Sequence, residues 1–187
     1  MVKLTSKKPK KWFTITAPDM FQGKELGKTI AKEPNQIIGR TLKLNLFNIT
    51  GDIKKQSIIM TFKIKKLDNT LALTEVIGCS LSKMNVDRML KRNHTVIHTV
   101  IDSKTKDGKN IRVKAFCLSS VNSKESQRKA VKKEVDAYLN SEIKANTFEE
   151  FINQMLIRRI QKKASYNAKK IIPLKNITIR DIKIKSK

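Results

Sequence analysis

Leu42, Leu44 and Leu46 alternate with Lys43 and Asn45, the period of a strand that buries one face. After a turn at Thr50-Gly51-Asp52 the alternation resumes at Ile58, Met60, Phe62 and Ile64. Asp68-Asn69 turns again into a strand from about Thr70 to Cys79, and another covers about Thr95–Ser103. Asp107-Gly108 is a strong hairpin signal, and Ile111, Val113, Ala115 and Cys117 mark the inward face of a fifth strand. Past Pro173, Ile177/Ile179 and Ile182/Ile184 make a sixth, with the register broken at Asp181 by a bulge.

Helical periodicity appears in three places. Ser82 can cap a short helix carrying Met84, Met89 and Leu90. Ser123 opens a longer one whose apolar stripe is Val131, Val135, Tyr138 and Leu139. Thr147-Phe148-Glu149-Glu150 is a capping box opening a second long helix, with its acids at the positive end of the dipole. Hairpin-linked strands followed by helices predict an α+β fold: a small antiparallel β-barrel or curled six-stranded sheet, two longer helices, one short helix and an extended basic N-terminal arm. At 187 residues and 39% hydrophobic, the chain can bury one moderate core. We therefore expect a single α+β domain over residues 12–187 behind an arm at 1–11 that is disordered until it meets its partner.

Charge changes the picture from fold to function. The chain has 41 Lys and Arg against 16 Asp and Glu, a formal net charge of +25. Self-repulsion of that size opposes compaction unless a polyanion neutralises it, and nucleic acid gains affinity with each phosphate neutralised. An anionic membrane would call for one amphipathic basic helix or a lipidation signal, and neither is found. No apolar run reaches the ~18 residues that span a bilayer, and no signal-peptide segment opens the sequence, so the expectation is an intracellular protein.

Candidate RNA contacts follow the basic clusters. Lys7, Lys8, Lys10 and Lys11 lie in the arm. Trp12, beginning the extended segment Trp-Phe-Thr-Ile-Thr-Ala-Pro, reads first as a core anchor and alternatively as a base-stacking residue. Lys83, Arg88, Lys91 and Arg92 accompany the short helix, and Arg128, Lys129, Lys132 and Lys133 the first long one. In the latter, Glu125–Lys129 and Lys132–Asp136 spacings offset part of the like-charge repulsion. No acid stands between Phe151 and Arg180, a stretch holding Arg158, Arg159, Lys162, Lys163, Lys169 and Lys170. As one continuous helix, it would turn the side carrying Phe148, Ile152 and Met155 basic at Arg159, Lys162 and Lys163. Its first turns would pack on the core, and its last turns would leave the core and meet phosphate. A solvated helix usually interleaves both signs, which this stretch does not.

Little here suits catalysis. His94 and His98, four residues apart in an expected strand, could join Cys79 and Cys117 at a zinc ion, but no Cys-x-x-Cys or Cys-x-x-His pair is present. The cysteines, each in an apolar stretch, read as small buried residues without metal or disulfide. No phosphate-cradling glycine loop, metalloprotease helix or nucleophile elbow appears, and no cofactor is expected. The expectation is a binding protein and not an enzyme.

In order along the chain, KKWFTITAPDMF (Lys10–Phe21), ELGKT (Glu25–Thr29), IIGR (Ile37–Arg40), TGD (Thr50–Asp52), TKDGKNIRVKAF (Thr105–Phe116), SQRKAVKK (Ser126–Lys133) and IIPLKNITIR (Ile171–Arg180) resemble the archaeal and eukaryotic small-subunit ribosomal protein family S-three-A-e, or S-one-e, in its shorter archaeal form. Phe13 and Ile172 stand where that family often has Tyr. The resemblance implies a central β-barrel with helices, held in the cytoplasmic ribosome on the small-subunit platform near the messenger exit and the 3′ end of the subunit's RNA. It implies ribosomal RNA and neighbouring platform proteins as partners, with messenger RNA at the exit as a further one and no membrane.

Overall fold

The computed structural model describes residues 9–90 and 94–185, and the chain divides into two compact units. One is built from the chain up to Gln56 together with Met60–Ile77; the other takes Ser57–Ile59 and everything from Gly78 onward. The fold is α+β, with eight strands and five α-helices among the described residues.

In the first unit, β1 (Lys11–Thr16) and β2 (Glu25–Ala31) form an antiparallel pair running from Lys11↔Ala31 to Thr16↔Glu25. β3 (Thr41–Asn45) pairs with β4 (Ile58–Asp68), and β4 pairs with β5 (Leu71–Leu81). The turn between the last two passes through Asn69 at φ +52°, a left-handed position that Asn tolerates. Met60, Phe62 and Ile64 point inward while Lys63 and Lys65 point out, the expected alternation. Phe13, Ile15, Ala31, Ile37, Ile64 and Ala72 form one core cluster, and Phe21 meets Phe62 edge-on with ring centroids 5.9 Å apart.

Three expectations fail in this unit. β1 and β2 raise the strand count from six to eight; β2 carries no alternation in the sequence because it is an edge strand whose only buried residue is Ala31. β1 and β5 pair in parallel (Thr14↔Leu71 to Thr16↔Leu73), so the pairing is not purely antiparallel. The intervening chain is long enough to bring β5 back in the same direction. Leu46, read as the end of a strand, instead starts the short helix α1 (Leu46–Thr50), which Gly51 closes at φ +73°.

In the second unit, β6 (Val96–Lys104) and β7 (Asn110–Ser119) make the expected hairpin, with Gly108 at φ +75°. β8 (Leu174–Ile184) pairs antiparallel with β7 and with the end of β5. The bulge expected near Asp181 is present: Lys114 opposes Asp181 but Ala115 opposes Ile179, which leaves Arg180 over. Gly78 lies opposite Lys183, where a Cβ would run into the carbonyl oxygen of Ile182.

Helix α2 (Lys83–Met89) starts after Ser82, whose side chain makes no cap bond, and buries only Val86. α3 (Glu125–Ala145) buries Val131, Val135, Leu139 and Ile143 and packs on β6. α4 (Phe148–Leu156) has the expected capping box: Glu150 N donates to Thr147 Oγ1 (3.4 Å) and Thr147 N to Glu150 Oε2 (2.9 Å). These bonds favour the charged carboxylate and hold Glu150 below its ordinary range.

The second long helix, however, is not continuous. It stops at Leu156, and α5 (Arg159–Ala168) begins after Arg158 at φ +61°. A straight helix would place Ile160, Ala164 and Ala168 roughly 170° from the stripe of Phe148, Phe151, Ile152 and Met155. Both sets are buried, and the break allows this by re-aiming the second stripe inward. The last turns therefore do not leave the core: α5 packs on α3 and β8.

Cys79 and Cys117 are buried, as expected, and both carry free thiols. Burial pushes both up to about 12, assisted by the nearby charges of Asp181 and Asp136 respectively. Only roughly one such thiol in 10⁴ is ionised at pH 8, so alkylation of the native protein should be slow and should accelerate on unfolding. Mass spectrometry after timed iodoacetamide exposure checks this, and labelling at peptide-like rates without denaturant would contradict it. Gly78→Ala should cost about 1–3 kcal/mol, because β5 or β8 must move to admit the methyl group. A urea midpoint unchanged by that substitution would show that the two backbones are not in close approach.

Candidate nucleic-acid interface

Several acids of the second unit are used locally. Arg112 donates through Nε and an Nη to both oxygens of Asp102 at 2.7 Å, and Lys185 Nζ approaches Asp102 at 3.0 Å. These hydrogen bonds hold the Asp102 carboxyl well below the usual carboxylate range. Lys183 pairs with Asp181 at 3.0 Å and Lys129 with Glu125 at 2.8 Å. The second of these is the expected four-residue pair; with both ends mostly exposed it adds little stability. Asp136, pushed up by burial, feels Lys132 as a smaller opposing influence.

The acid-free stretch is different. Among the described residues, none of Arg158, Arg159, Lys162, Lys163 or Lys169 is held in an ion pair, and all five are exposed. On α5, Ile160, Ala164 and Ala168 recur every four residues and are buried. Tyr166 lies about 160° around the helix from Ala164, with Arg159, Lys162 and Lys163 within about 60° of it. One side of α5 is thus a packing surface and the other a basic one. Tyr166 is 72% exposed in the middle of the basic side, and Lys170 Nζ sits 5.6 Å from its ring centroid.

Arg158 occupies the left-handed region, a conformation a side chain adopts at some cost. Its N–H donates to Met155 O (2.9 Å), and its own carbonyl accepts from Lys162 N (3.1 Å). Both helix ends are thereby joined through one residue. Beside α5 in this unit lies a cleft of about 380 Å³.

The other candidates are dispersed. Arg128, Lys129, Lys132 and Lys133 are exposed on the first half of α3, and Lys83 and Arg88 on α2. Lys10 and Lys11 are exposed, and Lys11 belongs to β1. Lys7, Lys8, Lys91 and Arg92, with most of the arm, lie outside the described residues. Trp12 is 64% exposed, which overturns its reading as a core anchor and leaves a free indole. Its neighbour Phe13 is buried instead, because alternation on β1 allows only one of the two to face in. His94 precedes β6 and does not lie in it; among the described residues no three of His, Cys, Asp and Glu gather as a metal site. Tyr166 is the residue that sequence reading missed, although it was visible as the one aromatic of an acid-free run.

Comparison with known proteins gives a consistent result. The family model described as the Ribosomal S3Ae family matches residues 3–187. The protein called small ribosomal subunit protein eS1 in Methanopyrus kandleri is 33% identical over 181 residues, covering 95% of this chain and 86% of that one. Its namesake in Desulfurococcus amylolyticus is 30% identical over 177 residues, covering 95% of this chain and 83% of that one. The chain belongs to the Ribosomal S3Ae family, whose members are structural proteins and not enzymes.

Proposed function

We propose that this protein is a structural constituent of the small ribosomal subunit in the cytoplasm, bound to ribosomal RNA through Lys and Arg contacts to phosphate. The observation that carries the reading is the unpaired basic side of α5: Arg158, Arg159, Lys162 and Lys163 stand exposed in a stretch with no acid, on a helix anchored by its opposite side. Family membership and the names of the relatives support the ribosomal assignment. The same reading places the protein on the platform near the messenger exit and the 3′ end of the subunit RNA, beside neighbouring platform proteins and within reach of messenger RNA. Lys7, Lys8, Lys10, Lys11 and Trp12 supply a second contact region at the N-terminus. The lysines and arginines of α2 and α3, with Lys91, Arg92, Lys169 and Lys170, are further phosphate ligands. A net charge of +25 makes the polyanion part of the protein's stable state.

Changing Arg158, Arg159, Lys162 and Lys163 together to Gln tests this. Gln is a good helix former and little buried area is lost, so the melting transition should hold. Filter binding to ribosomal RNA should show a salt slope smaller by about 0.7–0.9 for each phosphate contact removed, about 3 in all. Unrelated RNA should lose a similar share, because phosphate contacts position a protein without reading sequence. On sucrose gradients the variant should leave small subunits at lower salt than the native chain. An unchanged slope would mean that the cluster is merely solvated, and a collapsed melting transition would mean that the side-chain stems hold the fold.

A further inference from the structure

The cleft beside α5 lies wholly within the second unit. Ile58, Cys79, Leu81, Ile177 and Ile179 give it an apolar floor, and Arg158, Lys162, Lys169 and Tyr166 stand at its α5 side. Asn176 and Thr178 of β8 and Ser165 of α5 add neutral hydrogen-bonding groups. Gln161, also in the wall, donates from Nε2 to Met155 O (3.1 Å), while its Oε1 is buried without a hydrogen-bond partner.

Resting on the RNA-binding reading above, we infer that this cleft receives a single unstacked RNA base, with Tyr166 as its stacking partner and the cations around it holding the adjoining phosphates. Three properties select that occupant. The volume of about 380 Å³ is at the small end of ligand sites, suited to one flat ring system and too small for a helix or a run of nucleotides. Three cations and no acid line the cleft, which complements a phosphodiester backbone and repels a basic partner. Apolar floor, exposed aromatic and uncharged amide and hydroxyl groups are the combination by which proteins hold splayed-out bases of single-stranded RNA. An apolar protein side chain would fill the floor and leave the amides and cations without purpose. Helix α5 thus does two things on one side: its cations fix the strand, and Tyr166 catches a base from it.

The test uses the full chain and two fluorescent single-stranded RNAs of equal length, one with ordinary bases and one abasic throughout. The base-bearing strand should bind about tenfold tighter, the usual scale of one stacked base. Tyr166→Ala should erase that advantage, leave abasic binding and the salt slope unchanged, and leave the melting temperature unchanged, since the ring is mostly exposed. Tyr166→Phe, which keeps the ring, should restore it. Ser165→Leu, which narrows the cleft from the helix side, should weaken only the base-bearing strand. Equal binding of both strands, or a Tyr166→Ala loss shared by the abasic strand, would overturn the cleft assignment while leaving the phosphate reading standing. Failure of both strands to bind in a salt-dependent way would overturn the phosphate reading itself. Displacement of RNA by an acidic apolar peptide, in preference to excess base-bearing strand, would assign the cleft to a protein and also overturn the proposal.

Discussion

The left-handed residue at Arg158 reconciles two demands that one straight helix could not meet. The chain from Phe148 to Ala168 carries two apolar stripes on nearly opposite sides, and both must be buried for the helices to hold. A break of one residue turns the second stripe inward and, with the same motion, turns Arg159, Lys162, Lys163 and Tyr166 outward. The strain at Arg158 is small beside the burial of Ile160, Ala164 and Ala168 that it permits. Placement of the basic side, access to the cleft and anchoring of α5 on α3 and β8 all follow from that break.

Charge is then distributed according to what each surface faces. Asp102, Asp181 and Glu125 neutralise nearby cations on β7, β8 and α3, so those surfaces resemble an ordinary mixed-charge exterior. Along α5 no acid is supplied, and the cations remain available to a partner. Surface ion pairs contribute little to stability, so this asymmetry bears more on binding than on folding. The second unit is held mainly by apolar packing, with Val113, Leu139, Ile143, Phe148, Phe151 and Ile152 all fully buried. This lets one side of a helix carry unpaired charge without support from it.

Much of this was legible in the chain wherever local physics and tertiary packing agree. The alternation at Met60–Ile64, the Asp107-Gly108 hairpin, the Thr147–Glu150 capping box and the bulge at Asp181 are each short-range signals that the structure keeps. Family membership was legible as well, in the order of motifs from Lys10 to Arg180. β2 was not, since an edge strand with one buried residue has no alternation to read. The break at Arg158 has no Gly or Pro to announce it. Its signal is the jump of the apolar stripe, which on a straight helix looks the same as a helix leaving the core. Size favours burial of Trp12, whereas the pleat gives the inward position to Phe13. Tyr166 is hard to single out in the sequence because the cations around it dominate that stretch.

The central claim is that the outward side of α5 lies on RNA in the assembled particle. Ultraviolet cross-linking of small subunits containing this chain, with the cross-linked peptides identified by mass spectrometry, tests it most directly. The account predicts nucleotide adducts on the peptides spanning residues 158–170, with Tyr166 the principal adduct site. Cross-links confined to other parts of the chain, with residues 158–170 unmodified, would contradict it.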